Sequence, residues 1–394
     1  MTLRPTMRLT TFAVLAAVAA CASQPGVGLQ GDPIPRPPFA DSAEQLILRL
    51  MRQNQVPGVA VSLVENGAVA WTRGFGYEDR EAQTPMTGQS VFQVASISKS
   101  VAAWGVMALV EKGKLALDTP VEQYLTRWHL PTADSGIYRD EVTVRRLLSH
   151  TAGLSLHGYP GFDPDSGPLP TLEASLSGET NGVGDVHVAF RPGTRWEYSG
   201  GGYALLQLLI EERAGVSFVD YMQQSVLEPL GMRSSSYEWP PALQAHTAAA
   251  YDARGRRIAN FRFTALAAAG LFTTAEDLGR FVAGNMRGRH GEAPGRGVLR
   301  PETIELMETP APHAVYPGGA YGFGQQLDSL ANGMRVAMHG GSNRGWKAVW
   351  VAIPSRRAGL VVLTNSDRGP SVYMPVVCAW YRTEAKSQPV TGCR

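Results

Sequence analysis

The sequence lacks most motifs by which metal, nucleotide and α/β-hydrolase sites are recognised. It has only three cysteines in 394 residues, and its eight histidines form no HExxH pair, so no metal site is predicted. It also has no phosphate-binding loop and no GxSxG elbow. A GxGxxG match at Gly26–Gly31 has no predicted strand before it and prolines after it, which excludes a dinucleotide site. No cofactor is therefore expected.

Charged residues and long apolar runs are also scarce. Charged residues make up 18% of the chain, and no segment is rich in Lys and Arg, which argues against a nucleic-acid partner. Beyond the N-terminal apolar run, no stretch is long enough to span a bilayer as a helix. The chain is 44% hydrophobic, which at this length suffices for a sizeable globular core.

The N-terminus is typical of an exported protein. Residues 1–20 have a basic start and an apolar run too short to span a membrane, as in a secretory signal peptide. The run ends in Val18-Ala19-Ala20-Cys21, which resembles the lipobox of bacterial lipoproteins. That resemblance implies a lipidated Cys21 and an anchor in the cell envelope, and Ala22 favours the outer membrane, facing the periplasm. The alternative is a plain signal peptide followed by an unmodified cysteine. Residues 21–40, rich in proline, are predicted to form a tether.

The two remaining cysteines lie near the C-terminus, at Cys378 and Cys393. An exported protein meets an oxidising compartment, which permits a disulfide between them. Two unpaired thiols are the alternative that the spacing leaves open.

Strand signals come from both ends of the chain, and helix signals fill the middle. Residues 58–77 read as a hairpin around Asn66-Gly67, and residues 335–366 read as three short strands. We therefore predict an α/β fold of the α+β type. An antiparallel sheet from both chain ends is flanked by terminal helices, and a mostly helical subdomain is inserted. The domain is expected to span 41–385, with a tail at 386–394. The irregular segment 155–193 is expected to form a wall over the functional site.

A nucleophile candidate stands at the start of a predicted buried helix, residues 96–113. Ser96 and Lys99 are three residues apart, which places them on one helix face. A serine hydroxyl needs a base to become a nucleophile, and burial would lower the pKa of Lys99 enough for that role. The alternative is an ordinary helix-capping serine beside a solvated lysine.

Three motifs in order decide between these interpretations. They are Ser96-Ile97-Ser98-Lys99, Tyr198-Ser199-Gly200 and His339-Gly340-Gly341. With flanking segments such as Leu147–Leu154 and Ala269–Leu278, they resemble the serine β-lactamase and penicillin-recognising hydrolase superfamily. The likeness covers about residues 40 to 382 and falls on the class C-like branch, which includes D-stereospecific peptidases and esterases.

The resemblance implies roles for particular residues. Ser96 would be the nucleophile, Lys99 its proton acceptor and Tyr198 a second proton shuttle that shares one proton with Lys99. A core tyrosine is the alternative for Tyr198. The oxyanion would be held by the N–H groups of Ser96 and Ser342, and the substrate by Gly200, His339, Gly340 and Gly341. His150 and His129 are interpreted as structural or helix-end residues.

Two departures from the β-lactamase pattern bear on the substrate. Gly200 stands where β-lactamases of this branch have Asn, and His339 stands where they have a carboxylate-binding Lys. Both departures favour esters or small peptides and amides, including those of D-amino acids, over β-lactams. For His339, a strand histidine that bonds only its neighbours is the alternative. A class C-like β-lactamase or peptidoglycan DD-peptidase is the main alternative function, and a non-catalytic peptidoglycan-binding protein is a weaker one.

Overall fold

The computed structural model describes residues 1–2, 35–131, 136–316, 318–386 and 393. The chain divides into two units, Met1–Pro35 and Arg36–Arg394. Several predicted segments lie outside the described residues. They are residues 3–20 of the predicted signal peptide, Cys21, residues 22–34 of the tether, and the predicted tail beyond 386 except Cys393.

The described residues contain eleven α-helices, most of them between the strands of the two chain ends. They are α1 (Phe39–Asn54), α2 (Ile97–Glu111), α3 (Val144–Leu148), α4 (Leu172–Leu176), α5 (Gly200–Ala214), α6 (Phe218–Met222), α7 (Pro241–Gln244), α8 (Leu266–Ala269), α9 (Ala275–Gly284), α10 (Pro301–Met307) and α11 (Pro370–Glu384). Helix α6 continues into a π-helical turn at Gln223–Leu227.

The described residues also contain thirteen strands. They are β1 (Gly58–Glu65), β2 (Ala68–Asp79), β3 (Thr84–Pro85), β4 (Phe92–Gln93), β5 (Ala250–Tyr251), β6 (Arg257–Ile258), β7 (Phe272–Thr273), β8 (Val315–Tyr316), β9 (Gly319–Tyr321), β10 (Gln326–Ser329), β11 (Arg335–Asn343), β12 (Trp346–Ile353) and β13 (Ala358–Thr364). Nine of them form one sheet in the order β3-β2-β1-β13-β12-β11-β10-β9-β8, antiparallel at each pairing.

The sheet confirms the predicted fold class. Strand β1 from the N-terminal hairpin pairs with β13 from the C-terminal region, Val59 lying opposite Thr364. Strands β8 to β10 extend the sheet beyond the predicted set. They have only two to four residues each, too few to give a period-two signal.

Both faces of the sheet are covered, which explains why the central strands β1, β12 and β13 are mostly apolar. Every residue of β13 is buried. Helices α1 and α11 cover one face with a cluster that includes Ile47 and Trp380. The helical region covers the other face around α2, where Ile97–Leu109 are all buried. A helix that is apolar all round is a buried helix, as predicted for this segment.

The predicted boundary between the tether and the folded domain is corrected. Helix α1 begins at Phe39, inside the predicted tether, because the side chains of Phe39 and Ala40 are buried. Of the two alternatives for the C-terminal cysteines, the structure has the disulfide, between Cys378 and Cys393. No helix among the described residues is both long and apolar enough to cross a membrane.

Candidate active site

The start of α2 presents Ser96 at the edge of a pocket. Ala95, just before it, has a left-handed backbone with φ of +49°, which is unfavourable for a residue with a Cβ. Such strain persists only where the surroundings enforce it, and it clusters at functional sites. The N–H groups of residues 97, 98 and 99 each donate a hydrogen bond to the carbonyl three residues earlier, at Val94, Ala95 and Ser96 respectively. Among the described residues, the Ser96 N–H has no such partner.

Lys99 lies one helical turn from Ser96 and is enclosed by protein. Its side chain is 2% exposed, and its Nζ is 3.3 Å from Ser96 Oγ. Nζ also donates a 2.7 Å hydrogen bond to the carbonyl of Ala268 at the end of α8. Burial lowers the pKa of Lys99 to about 7, because desolvation disfavours the ammonium form. A substantial fraction of Lys99 is therefore neutral at physiological pH and able to accept a proton.

These contacts argue against the capping-serine alternative. Ser96 occupies the N-cap position of α2, but its side chain makes no capping hydrogen bond, and Lys99 is buried rather than solvated. A serine that does not cap its helix and a lysine removed from water fit a nucleophile and its base.

Tyr198 completes the group. Lys99 Nζ lies 4.9 Å from the centre of the Tyr198 ring. Burial raises the pKa of Tyr198 well above its usual range, and a hydrogen bond with Ser96 lowers it by less. The phenol is therefore neutral at physiological pH, so it is suited to donating a proton, with Lys99 as the group that accepts one. The sharing of one proton between Tyr198 and Lys99 stays a prediction, with Tyr198 as the group that holds the proton in the resting site.

Strand β11 passes directly beside the start of α2. A side chain at Gly341 would collide with the carbonyl of Val94 and would lie 3.4 Å from Ile97, so only glycine fits this close approach. Strand β10 pairs with β11 only as far as Met338. From His339 to Asn343, the edge of β11 therefore has no partner strand among the described residues. Ser342 is exposed on this edge and lines the same pocket as Ser96, as an oxyanion role for both residues requires.

His339 does not offer a free polar atom to a substrate, which corrects its predicted role. Its Nδ1 lies 2.7 Å from the carbonyl of Gly340 and its Nε2 lies 2.9 Å from the Tyr321 hydroxyl. Because a carbonyl can only accept, Nδ1 carries the proton and Nε2 accepts from Tyr321. Burial, helped by Lys99, lowers the pKa of His339 to about 3. The ring is therefore a neutral, fully bonded wall of the pocket, as the alternative interpretation proposed.

Gly200 is also corrected, because it does not line the pocket. It begins α5, and its N–H donates 3.0 Å to the carbonyl of His157. A Cβ at this position would lie 3.1 Å from that carbonyl and 3.2 Å from the Cα of Gly158. The backbone of the 157–158 loop occupies the space that an asparagine side chain would need, so Gly200 serves packing.

The pocket has a volume of about 530 Å³. The residues that line it come from α2, the 157–159 loop, the segment before α5, α8, β10, β11 and α11. They are Ser96, Lys99, His157, Gly158, Tyr159, Trp196, Tyr198, Ala268, Ala269, Gln326, His339, Gly340, Gly341, Ser342, Asn343 and Tyr373. Of the segment 155–193 that was predicted to form a wall over the site, only residues 157–159 line the pocket.

Sequence reasoning missed several of these residues. The Ala268 carbonyl that holds Lys99 gives no sequence signal, because any residue type supplies a carbonyl. Asn343 is held by the side chain of Gln93, at 3.1 Å, across 250 residues of chain. Tyr159, Trp196 and Tyr373 give the pocket an aromatic wall that only the fold assembles.

The pocket carries almost no charge. Among the described residues that line it, Lys99 is the only Lys, Arg, Asp or Glu. With His339 neutral, Lys99 and His157 are the described lining residues with a side chain that can carry a positive charge.

The fold and the site define a family. The Beta-lactamase family model matches residues 43–374, so the chain belongs to the Beta-lactamase family. The large antiparallel sheet with its helices is the β-lactamase and transpeptidase-like fold of this family's solved relatives.

Three relatives illustrate the range of the family. Protein flp of Staphylococcus aureus is 23% identical over 352 residues, which cover 87% of this chain and 66% of that protein. Esterase EstB of Burkholderia gladioli is 30% identical over 196 residues, 48% of each chain. The solved octameric penicillin-binding protein homologue from Pyrococcus abyssi has a TM-score of 0.72 and 28% identity, and the match covers 88% of this chain and 77% of that one.

Proposed function

We propose that this protein is a serine hydrolase that forms an acyl-enzyme on Ser96. Its substrates are uncharged esters or small peptides and amides, including those of D-amino acids, in the cell envelope. The observation that carries the proposal is the placement of Lys99, buried with a pKa of about 7, beside both Ser96 and Tyr198.

The reaction follows from the protonation states of these groups. Neutral Lys99 takes the Ser96 proton as Oγ attacks the carbonyl carbon of the substrate. The N–H groups of Ser96 and Ser342 hold the resulting oxyanion. Neutral Tyr198 gives its proton to the leaving group and regains one from Lys99. Water then attacks the acyl-enzyme with the same groups acting in reverse.

The pocket walls favour an uncharged substrate. A carboxylate bound there would lose its hydration, and among the described lining residues only Lys99 and His157 have side chains that could offset its charge. Burial of a charge without a partner is costly. If Lys99 were held as an ammonium by that carboxylate, it could not take the Ser96 proton. A substrate that carries a carboxylate near the scissile bond should therefore react slowly.

A matched pair of esters tests this preference. We expect p-nitrophenyl butyrate to have a kcat/KM at least about tenfold above that of mono-p-nitrophenyl succinate, because about 1.4 kcal/mol of unfavourable burial suffices for that factor. The two acyl chains have equal length, and dividing by the rates of alkaline hydrolysis corrects for intrinsic reactivity. Equal values, or faster reaction of the succinate, would contradict the uncharged-substrate proposal.

Further substrates in the same assay decide between the alternatives. Faster turnover of a chromogenic cephalosporin than of the butyrate ester would identify a β-lactamase. Release of D-alanine from a peptide ending in D-Ala-D-Ala, with esters unreactive, would identify a DD-peptidase. No turnover and no labelling by a fluorophosphonate or penicillin probe would identify a binding protein.

We also propose that the protein is anchored by a lipid on Cys21, in the outer membrane and facing the periplasm. The proposal rests on Val18-Ala19-Ala20-Cys21 and on the proline-rich segment after it. A lipid-modified N-terminus anchors a protein stably when more than one acyl chain is attached.

Fractionation of cells tests the anchor. Cys21→Ser should move the protein from the membrane fraction to the soluble periplasm. Cys393→Ser is the control for a cysteine-to-serine change and should leave the membrane association intact. A Cys21→Ser protein that stays with the membrane would disprove lipidation at this residue.

A further inference from the structure

His150 contacts the residues on both sides of Tyr198. Its carbonyl accepts a 2.9 Å hydrogen bond from the N–H of Glu197, and its ring Nδ1 accepts a 3.1 Å hydrogen bond from the N–H of Ser199. The segment between these two bonds is Tyr198 itself. It lies in irregular backbone just before α5, so no regular helix or strand fixes it.

The His150 ring also packs against Tyr198. The two ring centres are 4.2 Å apart, with their planes inclined by 36°. Tyr203 and Tyr321 contact other parts of the imidazole, at 5.2 and 4.8 Å between ring centres. His150 is 2% exposed, so its ring is held on several sides and its own position is well determined.

The backbone of His150 is in an unfavourable conformation, with φ of +58°. Outside glycine, this region is occupied mainly by Asn, Asp and His, and it carries a cost for residues with a Cβ. The left-handed turn follows the end of α3 at Leu148. A histidine in an unfavourable conformation makes three separate contacts with one short segment. This indicates that the exact position of that segment matters.

Because a backbone N–H can only donate, Nδ1 of His150 must be the unprotonated nitrogen, and the ring is the neutral Nε2–H tautomer. Burial lowers the pKa of His150 well below its ordinary value, and Lys99, His339 and His157 add to the effect. Protonation of Nδ1 would break the bond to Ser199 and would add a second positive charge near Lys99. The neutral ring is therefore the form that holds this segment.

We propose that His150 is a positioning residue for the reaction, and that it fixes the Tyr198 hydroxyl at Ser96 and Lys99 by holding residues 197–199. This inference rests on the proposed function, because it assigns Tyr198 a proton-transfer role. It predicts that His150 affects catalysis only through the Tyr198 hydroxyl. A misplacement of about 1 Å in such a group lowers the rate roughly 10²-fold.

Two variants separate the contacts of the ring. His150→Asn keeps an acceptor near the place of Nδ1 and tolerates positive φ, but it removes the ring that packs on Tyr198. His150→Phe keeps a ring and leaves the Ser199 N–H without its acceptor. Each variant is made in the wild-type protein and in Tyr198→Phe. Val361→Ala, at a buried position of β13 that does not line the pocket, controls for general loss of stability.

With p-nitrophenyl butyrate, we expect both His150 variants to lower kcat roughly 10- to 100-fold while KM stays within about threefold. In the Tyr198→Phe background, the same changes should alter kcat by less than about twofold, because the hydroxyl that His150 positions is already gone. Equal losses in both backgrounds, or wild-type kcat in both single variants, would overturn the proposal. If His150→Phe does not fold, His150→Asn alone decides.

Hydrogen exchange gives a readout that does not depend on turnover. We expect faster exchange in the peptide covering residues 195–200 of His150→Phe, and unchanged exchange there in Val361→Ala. Unchanged exchange in both variants would overturn the positioning role even for an enzyme inactive on esters. Failure of wild type to turn over or be labelled would instead overturn the proposed function.

Discussion

Replacing Ser96 by alanine is expected to abolish ester turnover, with a loss of about 10⁴-fold or more, since removal of a nucleophile from a working triad has effects of this size or larger. Covalent labelling by a fluorophosphonate should disappear with it. The fold should remain intact, because the Ser96 side chain makes no capping hydrogen bond in α2. Lys99 would lose only its 3.3 Å contact and would keep the carbonyl of Ala268.

The same helix supplies a matched control. Ser100 is buried one turn further along and donates a 2.6 Å hydrogen bond to the carbonyl of Gly324. Ser100→Ala should lower stability by about 1 kcal/mol, the usual net value of one hydrogen bond, while turnover and labelling persist. Kinetic assays, gel-based labelling and thermal unfolding of Ser96→Ala and Ser100→Ala test whether Ser96 is the nucleophile. Turnover above 1% of wild type in Ser96→Ala would exclude Ser96 as the nucleophile.

Replacing Lys99 by methionine should give the second largest effect. Methionine fills a similar volume but has no proton acceptor, so we expect kcat/KM to fall by roughly 10³–10⁴-fold, the upper part of the range for a positioned base. Ser96 is retained, so the measurement separates loss of the base from loss of the nucleophile.

The pH dependence identifies the group more directly. In the wild type, the fraction of neutral Lys99 grows with pH, so kcat/KM should rise through a midpoint of about 7 and level off above it. In Lys99→Met, the residual rate should lack this rise. A wild-type profile that is flat between pH 5.5 and 8.5, or one that keeps its midpoint in the variant, would remove Lys99 from the role of base.

Lys99→Met should not lower the stability of the fold, although it lowers activity. The pKa of Lys99 falls from 10.5 to about 7 on folding, so the unfolded chain binds this proton more tightly than the folded protein does. Below pH 10.5, burial of the amine therefore destabilises the fold, and the cost is complete below pH 7. Lys99→Met removes that cost, so its thermal midpoint at pH 7 should equal or exceed that of the wild type. A large fall in the midpoint would mean that the amine stabilises the fold.

Local patterns in the sequence determined a good part of this protein. The Asn66-Gly67 turn fixed the first hairpin, and an apolar run without a polar face predicted the buried helix α2. The spacing of Ser96 and Lys99 determined that they share a helix face, because that relation depends only on helix geometry. The order of the three motifs was enough to indicate the family, and the strand signals at both chain ends indicated the antiparallel sheet.

Only the tertiary structure decided what these residues are able to do. The pKa of Lys99 depends on its burial, and its amine is held by the Ala268 carbonyl, 169 residues away in the chain. His339 has no free nitrogen to offer a substrate, because Tyr321 and the Gly340 carbonyl bond to both of its nitrogens. Gly200 does not serve as a substrate-binding residue, because the backbone of His157 fills the space beside it.

The physical reason is the range of the interactions. Helix and turn propensities act over a few residues and can be read from the sequence. Desolvation and hydrogen-bond satisfaction depend on every atom within several ångströms, and those atoms come from segments that only folding brings together. The sequence therefore determined which chemical groups this protein has, and the packing of distant segments decided which of them are free, charged or committed to neighbours.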